Sequence, residues 1–330
     1  MKPNPHIGIV VLHRGNPDAS AEARASAGPA GHRDGGAWVV MGLEHEGDRP
    51  PLAAAFGAGN AVVHPAARPG LAALCNLGIV RALRAGSDYV LLLDAACRLE
   101  EGALSPLLIA LEAQRQAGAA CPALLEERGE VMLACGGRIG RWTGRIRPRL
   151  CGAGASDPDA MQWEEVDFAP ASCVLLKREF LEDAGLYHEA YGSYGFEAEL
   201  GRRARTEYWR TLALPHSRVR CTPREPSCDD PRREAFERAR NPFWLQRAWG
   251  VPGRRLLLLP WNVTWHWPAA FAAHLFTGRF RAAGAVVHGS LQGLFGKGFA
   301  AGGHLAVPIH GRKIPLAVPA VSRAKAMYLL

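Results

Sequence analysis

The stretch YVLLLDAACRLE, residues 89–100, decides the fold of this chain. Five apolar residues lead into one acid, Asp94, and Ala95 and Ala96 follow it. A short apolar run bounded by polar residues is typical of a buried strand. In open α/β sheets, ligands bind at the carboxyl ends of the strands. We therefore predict that Asp94 lies at a ligand site at the edge of a sheet.

Strand and helix patterns alternate on both sides of this stretch. Apolar and β-branched runs predict strands at residues 7–12, 37–43, 60–64 and 89–94. Apolar residues at helical spacing predict helices at residues 70–86 and 104–114. Extended and helical patterns then follow over residues 163–185, 195–209 and 211–221. This alternation predicts an α/β domain with several parallel strands, whereas the Gly- and Arg-rich residues 136–160 predict a long loop.

Composition narrows the class of protein. The chain has 330 residues, of which 48% are hydrophobic and 21% charged, so a largely disordered chain is excluded. Lys and Arg total 39 against 31 Asp and Glu, and the pI is about 9.3. This excess suits nucleic acid, an anionic membrane surface or a phosphorylated substrate. Since no aromatic and basic motif of a known nucleic-acid module is present, we predict no nucleic-acid partner.

The cysteines and the amino terminus indicate the compartment. Eight cysteines form no CxxC pair, and most lie in apolar runs, where a free thiol behaves as a small hydrophobe. The first residues lack the pattern of a secretory signal, and no apolar run reaches 18 residues. We therefore predict a reduced, cytoplasmic protein without a transmembrane helix.

The composition changes after residue 222, where Arg, Pro, Trp and Phe become frequent. We predict an α/β domain over residues 1–222 and a smaller, mainly helical region over residues 223–330. Two interpretations of residues 254–281 are open: a packed helical subdomain, or an interfacial helix pair that places Trp at headgroup depth and Arg on anionic lipid. In the second, basic residues flank aromatic ones, namely Arg254, Arg255, Arg279 and Arg281 around Trp261, Trp265, Trp267 and Phe271.

Several short motifs occur in a recognisable order. They are Gly70 before Asn76-Leu77-Gly78-Ile79, Asp94 at a strand end, VDFAPASCVLLKREF (166–180), Gly185-Leu186-Tyr187, FEAEL (196–200) with Arg203, LALPHSRVRC (212–221) and Arg240-Asn241. In this order the chain resembles the family-2 glycosyltransferases, and within them the rhamnosyltransferase-like branch, over about residues 7–245. The resemblance implies a GT-A fold, which is Rossmann-like with a mostly parallel sheet.

The resemblance also implies an activity. Such enzymes transfer a sugar from a nucleotide-sugar donor, here with inversion, to a polysaccharide or lipid-linked glycan acceptor; the sugar would be a hexose or rhamnose. The base that takes the acceptor proton is Glu197 by this resemblance, with Glu199 as the second candidate. The donor-binding residues it implies are Asp94, Asn76, Gly70 and Arg203. The protein would then work in the cytoplasm or on the inner face of the cell membrane.

The chain departs from the family at the metal site. The family's acid-x-acid motif ends in an acid that helps bind Mn²⁺ or Mg²⁺, and here Ala96 stands in that position. A His that often follows the later apolar segment is matched by Cys221. Because hard cations need oxygen ligands, Asp94 alone makes a weak metal site. A second interpretation is therefore a non-catalytic GT-A relative that acts as a binding partner in glycan assembly.

Each of these residues also has a purely structural interpretation. Asp94 would cap a turn, Glu197 would offset a helix dipole, and Cys221 would be a small buried residue. The Arg-rich residues 138–149 would form a solvated loop, or else supply the positive charge that a missing metal does not.

Overall fold

A computed structural model describes residues 5–13, 17–27, 37–42, 56, 60–64, 70–127, 131–140, 144–149, 163–222, 230–249, 264, 267–296, 304–309 and 312–317. The strands are β1 (Ile7–Leu12), β2 (Ala37–Gly42), β3 (Ala61–His64), β4 (Tyr89–Asp94), β5 (Cys97–Leu99), β6 (Ala117–Glu126), β7 (Met132–Ala134), β8 (Gly137–Ile139), β9 (Ile146–Pro148), β10 (Glu164–Val166), β11 (Cys173–Lys177), β12 (Arg210–Cys221), β13 (His304–Ile309) and β14 (Arg312–Ala317). The helices are α1 (Pro17–Ser26), α2 (Leu71–Arg84), α3 (Leu104–Ala113), α4 (Arg178–Ala184), α5 (Phe196–Thr206), α6 (Pro231–Trp249), α7 (Trp267–Phe276) and α8 (Phe280–Phe295).

The centre of the fold is a ten-stranded sheet in the order β10-β12-β6-β11-β4-β1-β2-β3, with β5 added to β12 and β7 added to β6. The strands β4, β1, β2 and β3 run parallel, and β12 is parallel to β6. Between these two groups, β11 is antiparallel to both β4 and β6. The α/β class with a mainly parallel sheet is therefore confirmed.

Strand β4 lies in the middle of this sheet and is covered on both faces. Its alternate residues belong to two hydrophobic clusters: Val90 and Leu92 pack in the one that includes α2, α4 and α5, and Leu91 and Leu93 in the one that includes α3. A strand buried on both faces has a continuous apolar run rather than an alternating one. The strand ends at Asp94, as predicted, with Leu12 of β1 as its register partner.

The predicted loop over residues 136–160 is wrong in part. It contains the antiparallel hairpin of β8 and β9, and Gly137 forms a further bridge to Phe168. The ring of Phe168 occupies the space that a Cβ at Gly137 would need. The strands are three residues long and rich in Gly and Arg, so they lack the alternation that predicts a strand.

The cysteine prediction is also wrong in part. Cys97 and Cys221 form a disulfide, whereas the cysteines at positions 75, 121, 135 and 173 are buried and form no disulfide among the described residues. Antiparallel pairing of β5 with β12 puts Cys97 directly opposite Cys221. Cys151 and Cys228 lie outside the described residues.

The C-terminal region contains α6, α7 and α8, and also the β13–β14 hairpin, which the sequence analysis did not predict. In the region 254–281, the structure describes only residue 264 and residues 267–281, so the predicted roles of Arg254, Arg255, Trp261 and Trp265 lie outside it. Among the described helices, none has the length and apolarity needed to cross a membrane. The division of the chain at residue 222 stays a prediction.

Candidate active site

Asp94 is held at the carboxyl end of β4 by hydrogen bonds with backbone groups. Its Oδ1 accepts a hydrogen bond from the Ala96 N–H at 3.0 Å, and its own N–H donates to the Ser172 carbonyl at 2.8 Å. The Ala95 N–H donates to the Leu12 carbonyl at 3.1 Å, so the turn after β4 is also bound to the end of β1. The residue is only 6% exposed. The Asp94 carboxylate is therefore fixed within its own turn, at the end of the strand where open sheets bind ligands.

Ala96 and Cys221, which the sequence resemblance places at metal-ligand positions, lie close together beside Asp94. The Thr222 N–H donates to the Ala96 carbonyl at 2.8 Å, and the disulfide of Cys97 and Cys221 lies one residue further along each strand. The two positions named by the resemblance are thus neighbours in space. They offer a methyl group and an oxidised sulfur, neither of which is a hard oxygen ligand.

These residues do not fit a divalent ion held by the protein itself. Within the described ranges, no three His, Cys, Asp or Glu side chains are grouped in a way that could hold a metal ion. Asp94 is the acid that remains of the acid-x-acid motif in the sequence resemblance. Its Oδ1 already accepts the hydrogen bond from the Ala96 N–H. No step of the proposed reaction is therefore assigned to a metal.

Glu197 lies on the other side of the turn that precedes β11. Its Oε1 is 3.5 Å from the Ala171 backbone nitrogen, and the next residue, Ser172, accepts the hydrogen bond from Asp94. Glu197 is half-buried in the first turn of α5, which begins after Gly195 with a φ of 80°. A helix start favours a negative charge. The Asp94 backbone and the Glu197 carboxylate thus contact adjacent residues of one turn at the carboxyl end of β4.

Glu199 has a different environment. It is 4% exposed, and its two carboxylate oxygens accept hydrogen bonds from Arg203 Nε at 3.0 Å and Nη2 at 2.8 Å. Arg203 also donates to the carbonyls of Ala184 and Leu186. The pair thereby connects α5 to the end of α4. This arrangement supports a structural role for both residues, whose predicted catalytic and donor-binding roles are untested.

Asn76 and Gly70 join α2 to the segment 187–195, which leads into α5. Asn76 accepts from the Tyr187 N–H at 2.9 Å and donates to the Tyr187 carbonyl at 2.8 Å, and it is fully buried. A Cβ on Gly70 would lie 2.7 Å from the Gly192 Cα, so only glycine allows this approach. Both residues fix the segment that leads into the helix of Glu197. Their predicted contacts with the donor stay predictions.

Helix α6 holds the same segment from the opposite side. Asn241 donates to the Tyr191 and Tyr194 carbonyls at 2.8 and 2.5 Å, and Arg240 donates to the Ala190 carbonyl at 2.7 Å. Glu237 accepts from the Ser193 N–H at 2.8 Å. The Arg240-Asn241 pair thus anchors the segment that leads into α5, the helix that carries Glu197.

Burial changes the pKa of two of these anchoring groups. It lowers the pKa of Arg240 to about 10, and the nearby charge of Glu237 acts in the opposite direction. The Arg240 guanidinium lies 3.7 Å from the centroid of the Trp244 ring, a cation–π contact that favours the charged form. Burial also raises the pKa of Tyr194; the charges of Arg238 and Arg145 oppose that shift, and those of Glu197 and Glu234 add to it. Tyr194 therefore lies among charges of both signs.

Beside α5, a cavity of about 320 Å³ opens between the β8–β9 hairpin and the C-terminal helices. It is lined by Arg145, Ile146, Arg147, Pro148, Tyr194, Ala235, Arg238, Ala239, Pro242, Trp267, Ala270, His274 and Val286. Ile146 packs close to Gly195, so the cavity adjoins the start of the helix that carries Glu197. The Arg-rich run is evident in the sequence, whereas Tyr194, Arg238 and His274 come from other elements and no sequence pattern connects them with it.

Comparisons with known proteins support the fold. No family model and no curated protein sequence matches the chain. The crystal structure of GalNAc-T7 with UDP, GalNAc and Mn²⁺ matches with a TM-score of 0.56 at 16% identity, over 76% of this chain and 49% of that chain. The chain thus spans about half the length of that protein.

A second solved structure is similar over most of both chains. It is the mannosyltransferase PcManGT from Pyrobaculum calidifontis in complex with GDP-Man and Mn²⁺, with 14% identity, a TM-score of 0.49, and coverage of 90% of this chain and 89% of that one. The assignment of the fold rests on the match to GalNAc-T7, and the chain therefore has the GT-A fold.

Proposed function

We propose that this protein is an inverting glycosyltransferase that moves a sugar from a nucleotide-sugar donor to a glycan or lipid-linked acceptor. The observation that carries the proposal is that the Asp94 backbone and the Glu197 carboxylate contact adjacent residues, Ser172 and Ala171, of one turn at the carboxyl end of β4 in a GT-A sheet. The solved neighbours include proteins crystallised with UDP and with GDP-Man. A hexose or rhamnose is the proposed sugar, as the sequence resemblance implies.

In this proposal the two acids have different roles. Asp94, fixed by the turn after β4, orients the donor through hydrogen bonds to its sugar or ribose hydroxyls. Glu197 accepts the proton of the acceptor hydroxyl as the acceptor oxygen bonds to the anomeric carbon. The bond from that carbon to the diphosphate oxygen breaks at the same time, and the electron pair leaves with the nucleoside diphosphate. One displacement of this kind inverts the anomeric centre.

A lipid-linked acceptor is supported by the C-terminal helices. Residues of α7 and α8 expose large apolar side chains, with Phe280 68% and Phe295 77% exposed. Exposed apolar patches commonly mark interaction surfaces. Arg279 and Arg281 lie beside them, which suits an anionic membrane surface. We propose peripheral association with the inner face of the cell membrane.

The alternative proposal is a non-catalytic GT-A protein that acts in glycan assembly. It is favoured by Ala96 and by the disulfide at Cys221, which replace two expected ligands. A transfer assay separates the alternatives: the protein is incubated with a panel of radiolabelled UDP-, GDP- and dTDP-sugars and a membrane lipid extract. Label in the lipid or glycan fraction supports the enzyme. Absence of transfer with every donor, together with retained binding to a glycan-assembly partner, supports the alternative.

Metal dependence gives a first prediction. We expect Mn²⁺ to bind weakly in the presence of a nucleoside diphosphate, since one carboxylate is a poor site. Ala96→Asp adds a hard oxygen beside Asp94 and should tighten Mn²⁺ binding by about 10–100-fold, the scale on which changes around metal ligands act. Calorimetric titration measures this, with Ala96→Leu as the control without an oxygen ligand. Tight Mn²⁺ binding by the natural sequence that Asp94→Ala abolishes would show that the ligands are misassigned.

A further inference from the structure

The cavity beside α5 combines positive charge with apolar walls. Three arginines reach it from two elements: Arg145 and Arg147 from the β8–β9 hairpin and Arg238 from α6. Among the described side chains that line it, none is a carboxylate. Arginine guanidinium groups bind phosphate oxygens through paired, charge-assisted hydrogen bonds. The lining therefore favours an anion, and its planar donors favour a phosphate.

Arg238 is partly oriented already. Its Nε and Nη2 bind Glu234 at 2.8 and 2.7 Å, and its guanidinium lies 4.8 Å from the centroid of the Tyr194 ring. A guanidinium has five N–H donors, so this pair leaves donors for a ligand. Tyr194 and His274, which also line the cavity, carry a hydroxyl and a ring nitrogen. Oriented donors lose less conformational entropy on binding than mobile ones do.

The other walls come from the two C-terminal helices and are mainly apolar. Trp267, Ala270 and His274 of α7 line the cavity, and so does Val286 of α8. The same two helices, or the ends next to them, expose large apolar side chains, which are Phe271, Leu275, Phe276, Phe280, Val287, Leu291 and Phe295. The helices that line the cavity therefore also offer apolar surface to a hydrocarbon chain attached to the phosphate.

The cavity also has a defined position relative to the proposed chemistry. Tyr194 lines it and lies three residues before Glu197, and Ile146 of its rim packs against the helix start. Its volume of about 320 Å³ is at the lower end of the range for small-molecule sites, about 300–1,000 Å³. A group bound there would lie beside the start of α5, the helix that carries the proposed base Glu197.

We propose that this cavity binds the phosphate group of a lipid-linked acceptor, with the lipid chain along the exposed face of α7 and α8. The assignment rests on the proposed function, because it makes the ligand the acceptor of the same transfer. It names an acceptor class, phosphorylated lipids, and assigns its recognition to Arg145, Arg147 and Arg238.

Calorimetric titration of octyl phosphate into the full chain tests the proposal without activity. We expect saturable binding that Arg145→Ala weakens about tenfold or more, because one charge-assisted hydrogen bond to an ion is lost. The Arg145→Ala/Arg238→Ala double variant should show no binding. Arg232→Ala removes an exposed arginine of α6 that does not line the cavity, and it should bind as the natural sequence does. Equal loss in Arg232→Ala and Arg145→Ala, or no binding at all, would overturn the assignment.

Two further experiments distinguish an acceptor phosphate from a bilayer headgroup, and failure of the cavity assignment from failure of the proposed function. Flotation with phosphatidylcholine vesicles containing phosphatidylglycerol should be the same for the natural sequence and the double variant. Loss of flotation in the double variant alone would assign the cavity to a bilayer headgroup and overturn the acceptor assignment. Binding of a nucleotide sugar without binding of octyl phosphate would contradict only the cavity assignment; the reverse result supports the cavity and contradicts the proposed function.

Discussion

Glu197→Gln is expected to lower the rate of sugar transfer by about 10²–10⁴-fold, the usual contribution of a positioned general base. Gln keeps the shape of the side chain and its contact near the Ala171 nitrogen, but it cannot accept the acceptor proton. The affinity for the nucleotide sugar should stay nearly unchanged, because the donor is assigned to Asp94. Initial rates of label transfer and a donor titration on the same protein measure the two quantities.

The matched control is Glu207→Gln, which removes one negative charge at the exposed carboxyl end of the same helix, α5. It should transfer at the natural rate. Equal losses in both variants would show an effect of net charge rather than of a base. Full activity in Glu197→Gln would remove Glu197 from the mechanism.

Glu199→Ala is expected to lower the free energy of unfolding by about 3–5 kcal/mol. The substitution leaves Arg203 buried without its carboxylate partner, and desolvating an unpaired guanidinium is costly. Urea denaturation followed by far-UV circular dichroism measures the change. The control is Glu234→Ala, which breaks the exposed i,i+4 pair with Arg238 and should cost about 0.2–1 kcal/mol.

The milder Glu199→Gln variant separates a structural role from a catalytic one. If Glu199 is structural, this variant should be less stable yet transfer sugar when folded. If it folds like the natural sequence and loses transfer while Glu197→Gln stays active, the base is Glu199, two residues further along the helix. That outcome would keep the fold assignment and change the mechanism.

The central sheet was predictable because its strands have strong local patterns. Strand β4 is apolar along its whole length since both of its faces are covered, and Asp94 follows as the first polar residue. The β8–β9 hairpin was not predictable in the same way. Its strands are short and contain Gly and Arg, and they are fixed by packing with Phe168 and with Gly195 rather than by their own pattern.

The disulfide was not predictable from the sequence either. Cys97 and Cys221 are 124 residues apart, and their pairing depends on the register between β5 and β12. The structural role of Glu199, in contrast, had a signal in the sequence. Glu199 and Arg203 are four residues apart, a spacing at which opposite charges pair on a helix. The burial of this pair, which distinguishes Glu199 from Glu197, depends on packing against α4.

The most direct test of the account is a calorimetric titration of UDP-, GDP- and dTDP-sugars into the natural protein and into Asp94→Asn, each with and without Mn²⁺. Asp183→Asn on α4, beyond the opposite end of β11, is the control. The account predicts that at least one nucleotide sugar binds the natural protein, that Asp94→Asn weakens this binding about tenfold or more, and that Asp183→Asn leaves it unchanged. Absence of binding by every donor, or equal affinity in Asp94→Asn, would contradict the central claim that this sheet edge is a nucleotide-sugar site.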